Sequence, residues 1–117
     1  MSDTLNAEGL PALSFRAPDV SHPGMRIDEL DLNLAGSPLA PFKAARFVVE
    51  PGHASPVDSH AVHEIWSVLA GEGELVYDQR PLRLRTGTVW YLEPHKTHQV
   101  TNDGTEPLVI WSMWWSV

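Results

Sequence analysis

Apolar residues along the chain fall into short runs separated by turn-forming residues, and no stretch sustains a helical period. Strands are predicted over residues 12–15, 25–34, 43–50, 58–66, 75–77, 82–84, 88–92, 98–102 and 107–117. Within 25–34 the apolar positions step from odd (Ile27) to even (Leu30, Leu32, Leu34), which predicts a bulge or bend near Asp28. Turns are marked by Pro51-Gly52, Asp78-Gln79 and Arg85-Thr86-Gly87, and Asn102-Asp103-Gly104 is a hairpin signal. Many short strands with regular turns predict an all-β sandwich or barrel. The 117 residues suit a single domain, with residues 1–11 expected to be flexible and the barrel to span about 42–115.

The stretch 58–66 carries the chemistry. Read as a strand, it puts Asp58, His60, Val62, Glu64 and Trp66 on one face and His63 on the other. Acids on an apolar face are tolerated chiefly when they are paired or hold a metal. A helix would scatter residues 58, 60 and 64. His98, on a later predicted strand, adds a second imidazole. Two imidazoles and a carboxylate form a donor set for Zn²⁺, Fe²⁺, Mn²⁺, Ni²⁺ or Cu²⁺. The alternative is a set of hydrogen-bonded polar residues in a barrel that holds no metal.

Composition narrows the partners. With 8 basic against 15 acidic residues the net charge is −7, which argues against nucleic acid and anionic membranes. No run approaches the ~20 apolar residues of a membrane span. The absence of cysteine removes disulfide and thiolate chemistry and disfavours a closed structural zinc site. The first residues lack the pattern of a secretion signal, so a cytoplasmic location is expected.

The spacing of these residues resembles that of the cupins, small barrels of the double-stranded β-helix type. The family's first motif is Gly, five residues, His-x-His, three or four residues, Glu, six residues, Gly. Here Gly52 is followed by Asp58-Ser59-His60, then Glu64 and Gly71 at those intervals. The second motif is Gly, five residues, Pro-x-Gly, two residues, His, three residues, Asn. Gly87, Glu93-Pro94-His95, His98 and Asn102 match its intervals. Three positions depart from the pattern: Asp58 stands for the first His, Glu93 for the Pro and His95 for the Gly.

The resemblance implies one divalent metal, Zn or Fe before Mn, Ni or Cu, held by His60, Glu64 and His98 with Asp58 as a fourth ligand. Asp58 could instead accept a hydrogen bond from a ligand imidazole or a bound water. His95 fits either a catalytic acid/base group at the mouth of the site or a solvated residue in place of a turn glycine. Trp114 and Trp115 are consecutive and must face opposite sides of the last strand. The apolar end from Trp111 to Trp115 therefore needs a cover, from residues 12–34 or from a second subunit, and a homodimer is expected.

The resemblance implies a metal-dependent enzyme acting on a small-molecule substrate, as in tailoring steps of secondary metabolism: an oxygenase, isomerase or cyclase. One alternative is a cupin that forms N–N bonds beside an aminoacyl-tRNA-synthetase-like partner. The other is a non-catalytic ligand-binding or sensor cupin.

Overall fold

The computed structural model describes Gly9 and residues 11–117, so the expected flexibility of residues 1–11 falls almost wholly outside the described residues. Among the described residues there are ten strands: β1 (Met25–Glu29), β2 (Asn33–Leu34), β3 (Ser37–Pro38), β4 (Lys43–Val49), β5 (Val62–Ala70), β6 (Glu72–Tyr77), β7 (Arg80–Arg85), β8 (Val89–Leu92), β9 (His98–Thr101) and β10 (Leu108–Ser116). Among the described residues there is no helix, as the all-β expectation requires.

Two antiparallel sheets carry the architecture. One runs β1-β4-β10-β5-β8 and the other β7-β6-β9, while β2 and β3 form a separate small hairpin. Leu75, Leu84 and Val100 of the smaller sheet pack with Phe47, Trp66, Val68 and Ile110 of the larger in one core. The sheets thus face each other as halves of a barrel, although their ladders do not close into a single ring.

Register explains how the interior is layered. Phe47, Ile110 and Val68 lie in one cross-strand row, and Ala45, Ser112, Trp66 and Trp90 in the next. Lys43, Trp114, Glu64 and Leu92 form the row beyond that. Successive side chains alternate between faces, so these rows point inward, except that the exposed Lys43 at the end of the third row lines a neighbouring cleft. The apolar row lies deeper in the barrel, and Ser112 and Glu64 enter in the rows towards the mouth.

The structure corrects three strand expectations. Residues 58–66 are not one strand, because β5 begins only at Val62. Upstream of it, residues 54–58 run along the free edge of β9 instead. Bridges join Ala54 to Thr101 and Asp58 to His98, with paired bonds Asp58 N–H to His98 O (3.0 Å) and His98 N–H to Asp58 O (2.8 Å). Edge pairing satisfies backbone groups that a premature start of β5 would leave open. The chain crosses between sheets at residues 59–61.

The run 25–34 is likewise broken. β1 stops at Glu29 and Leu30 bridges Phe15, while the register with β4 runs unbroken through Asp28, so the bulge or bend expected there does not occur. Residues 12–15 form no strand beyond that bridge. Asn102-Asp103-Gly104 turns the chain, but β9 and β10 do not pair: β9 lies on β6, and β10 lies between β4 and β5. The wholly buried Asn102 side chain stabilises this sheet-to-sheet turn. It donates to the carbonyls of Val49 and Glu106, both at 2.8 Å, and accepts from Gly104 N–H at 2.9 Å. Gly71, between β5 and β6, has φ 81°, and an added Cβ would lie 2.5 Å from the Pro107 carbonyl oxygen. Glycine is therefore required there on two counts.

Candidate metal centre

Three elements deliver the site. Glu64 comes from β5, His98 opens β9, and His60 comes from the crossing segment between the sheets. One ligand atom from each of His60, Glu64 and His98 lies within 4.8 Å of the other two. Donors sharing one ion at about 2.1 Å stand no more than ~4.2 Å apart, and closer than that in a tetrahedral site, so the three are placed to converge on one ion.

The Glu64 carboxylate is held by one oxygen. Its Oε2 accepts a 2.6 Å bond from the Ser112 hydroxyl on β10 and a 2.8 Å bond from the Trp66 indole N–H two residues along its own strand. Bonds of this kind satisfy a half-buried charge and fix its rotamer. The other oxygen, Oε1, is left to serve as a ligand. Trp66 is itself fixed by edge contacts with Phe47 (centroids 5.2 Å apart) and with the His98 ring (5.5 Å).

His98 is buried, and its ring lies 5.2 Å from that of His60. Burial pushes the His98 imidazole below its ordinary pKa, against the upward pull of Glu64; His60 adds to the lowering, and the Lys96 backbone and Asp58 oppose it. A neutral imidazole is the form that ligates a metal. The residues present thus fit a divalent ion: two imidazoles, a carboxylate with one free oxygen, and no cysteine.

Asp58, the expected fourth ligand, lines the same cavity but is exposed, and it is not among the groups that meet within 4.8 Å. Its backbone is tied to the β9 edge rather than extended along β5, so the shared face inferred for residues 58 and 64 does not exist. His95, the expected acid/base group, is exposed and does not line the cavity. Its φ of 66° is the conformation for which the family motif uses glycine, and its backbone N–H donates to the His60 carbonyl at 2.7 Å. The His95 backbone thereby steadies the segment that carries His60.

The other departure in that loop also has a local partner. The Tyr77 hydroxyl donates to Glu93 Oε1 at 2.7 Å and accepts from the Glu93 N–H at 3.0 Å. His63 points out of the barrel, as alternation requires, bonded to the Tyr91 hydroxyl at 2.6 Å and stacked between Tyr91 and Trp115. Trp114 lines the cavity on the opposite face from Trp115.

The cluster opens into a cavity of about 630 Å³, within the range of small-molecule sites. Ser112 was not singled out from the sequence. The available signal was a hydroxyl at an inward position of β10, between apolar Ile110 and Trp114.

A two-sheet β-barrel with an interior His/Glu/His cluster at its mouth defines a class of small barrel proteins, and the comparisons give it a family. The Cupin domain family matches residues 45–115, and the chain belongs to the cupins. It is similar to a Cupin 2 conserved barrel domain protein from Salinispora arenicola, at 33% identity and TM-score 0.70 over 80% of this chain and 76% of that one. A cupin 2 domain-containing protein from Halorhodospira halophila matches at 29% identity and TM-score 0.72, over 80% of this chain and 66% of that one. AerE from Microcystis aeruginosa shares the fold, with TM-score 0.77 at 17% identity over 90% of this chain and 47% of that one.

Removing either donor to Glu64 Oε2 should loosen the ligand oxygen. Ser112→Ala and Trp66→Phe are each expected to weaken Zn²⁺ affinity by about 10–100-fold, measured by competition with a chromogenic chelator. Unchanged affinity in both variants would contradict this role.

Proposed function

We propose that the chain is a metal-dependent cupin that binds one divalent ion through His60, Glu64 and His98 and acts on a small organic molecule in the adjoining cavity. The observation that carries this reading is the convergence of three ligand atoms within 4.8 Å at the wall of a cavity of about 630 Å³. Zn²⁺ and Fe²⁺ suit two imidazoles and a carboxylate best, and Mn²⁺, Ni²⁺ and Cu²⁺ accept the same donors. Three protein ligands leave coordination positions open, where such an ion polarises a bound oxygen or activates a small molecule. That chemistry serves oxygenases, isomerases and cyclases of the tailoring type.

The protein's own residues supply the rest. Ser112 and Trp66 hold Glu64, burial favours the neutral form of His98, and Asp58 stands at the cavity wall as an outer carboxylate. No helix among the described residues is long and apolar enough to cross a membrane.

Protein purified without chelator should carry close to one divalent ion per chain by elemental analysis. The double variant His60→Ala/His98→Ala should lose it. Full metal retention in that variant would overturn the ligand assignment.

We also propose a homodimer formed through the outer face of the larger sheet. Trp111, Met113 and Ile65 are only half-buried there, and Leu69, Val89 and Tyr91 are 52%, 65% and 51% exposed. An apolar face of this kind is usually covered. Light scattering at micromolar concentration should return twice the chain mass, and a monomer mass would count against the proposal.

A further inference from the structure

The charges around the cavity are distributed unevenly. Among the described residues that line it there is no lysine or arginine, and the acidic groups are Asp58 and Glu64. The wall supplied by β1 and β4 is apolar, with Met25, Ile27 and Phe47, and Trp114 stands near the mouth. A neighbouring cleft, which shares Trp114 and Val62 with the cavity, is lined by the basic residues Arg16 and Lys43. Arg16 is already engaged with Glu29 at 3.7 Å.

We propose that the cavity selects an uncharged, largely apolar ring compound bearing a hydroxyl or carbonyl oxygen, and excludes phosphate and sulfate esters. The inference rests on the reading of His60, Glu64 and His98 as the reacting end of the cavity. A divalent ion there would be balanced by the two carboxylates, leaving no net positive charge for a dianion. A phosphoryl group would have to lose its water in an apolar chamber without an arginine or lysine to receive it, which is costly. An aromatic or alicyclic body gains contact with Ile27, Phe47 and Trp114, and its oxygen can face the ligand cluster.

The test compares two probes that share a ring body, 2-naphthol and 2-naphthyl phosphate. Each is titrated calorimetrically into Zn²⁺-loaded protein and into protein stripped with chelator. The naphthol should bind at least about tenfold more tightly than the phosphate in both forms. Ile27→Lys, which places a cation in the apolar wall, should narrow that ratio by about tenfold. If that variant fails to fold, Trp114→Ala in the half-exposed mouth should weaken naphthol binding several-fold.

Equal or tighter binding of the phosphate, or no binding of naphthol at millimolar concentration, would overturn the proposal. The two readings fail separately. Naphthol preference in a protein that takes up no metal would refute the metal site and keep the substrate class. Phosphate preference in a stoichiometrically loaded protein would do the reverse.

Discussion

Glu64 Oε2 receives hydrogen bonds from Ser112 at 2.6 Å and Trp66 at 2.8 Å, and the candidate site depends on that arrangement. A carboxylate inside a barrel is costly unless its charge is answered. Here two neutral donors answer one oxygen and leave the other without a hydrogen-bond donor. The same bonds join adjacent strands, since Ser112 pairs with Trp66 across the β10–β5 ladder. The interaction that makes the acid tolerable also orients it. Trp66 serves twice, with its ring in the core against Phe47 and its N–H on the carboxylate.

The second constraint is the crossing between the sheets. Residues 54–58 run with β9 and β5 runs with β10, so the short segment between them must pass from one sheet to the other at the mouth. His60 sits on that passage, and the Asp58–His98 bridge fixes its beginning. The bond from His95 N–H to the His60 carbonyl ties the later loop to the same segment. The two imidazoles and the carboxylate therefore belong to three pieces of chain locked by backbone pairing. Such a site is positioned before any ligand arrives, which reduces the ordering cost of binding.

Much of this was legible in the sequence because it depends on alternation and spacing. The outward turn of His63 and the opposed faces of Trp114 and Trp115 both follow from a period of two. The grouping of His60, Glu64 and His98 followed from residue type and interval. The sequence misled where pairing partners decide the outcome. A run from Asp58 to Trp66 looks continuous, but β9 offers residues 54–58 an edge to pair with, and nothing local to Asp58 reveals it. Asp58 was placed beside Glu64 for that reason. His95 was read either as an acid/base ring or as a solvated residue in place of a turn glycine; its exposure and its φ of 66° match the second, and its backbone N–H bond to His60 was not anticipated. Ser112 escaped notice because a serine in a strand carries no motif, and its role appears only with the cross-strand register.

The central claim is that His60, Glu64 Oε1 and His98 together hold a divalent ion while Ser112 and Trp66 retain Oε2. Anomalous diffraction from metal-loaded crystals, collected at the absorption edge of the bound element, tests it directly. The account predicts a single strong peak per chain, within ~2.0–2.2 Å of those three ligand atoms, with the two hydrogen bonds to Oε2 intact. A peak placed elsewhere, or one bound through Oε2 or through Asp58 in place of Glu64, would contradict it.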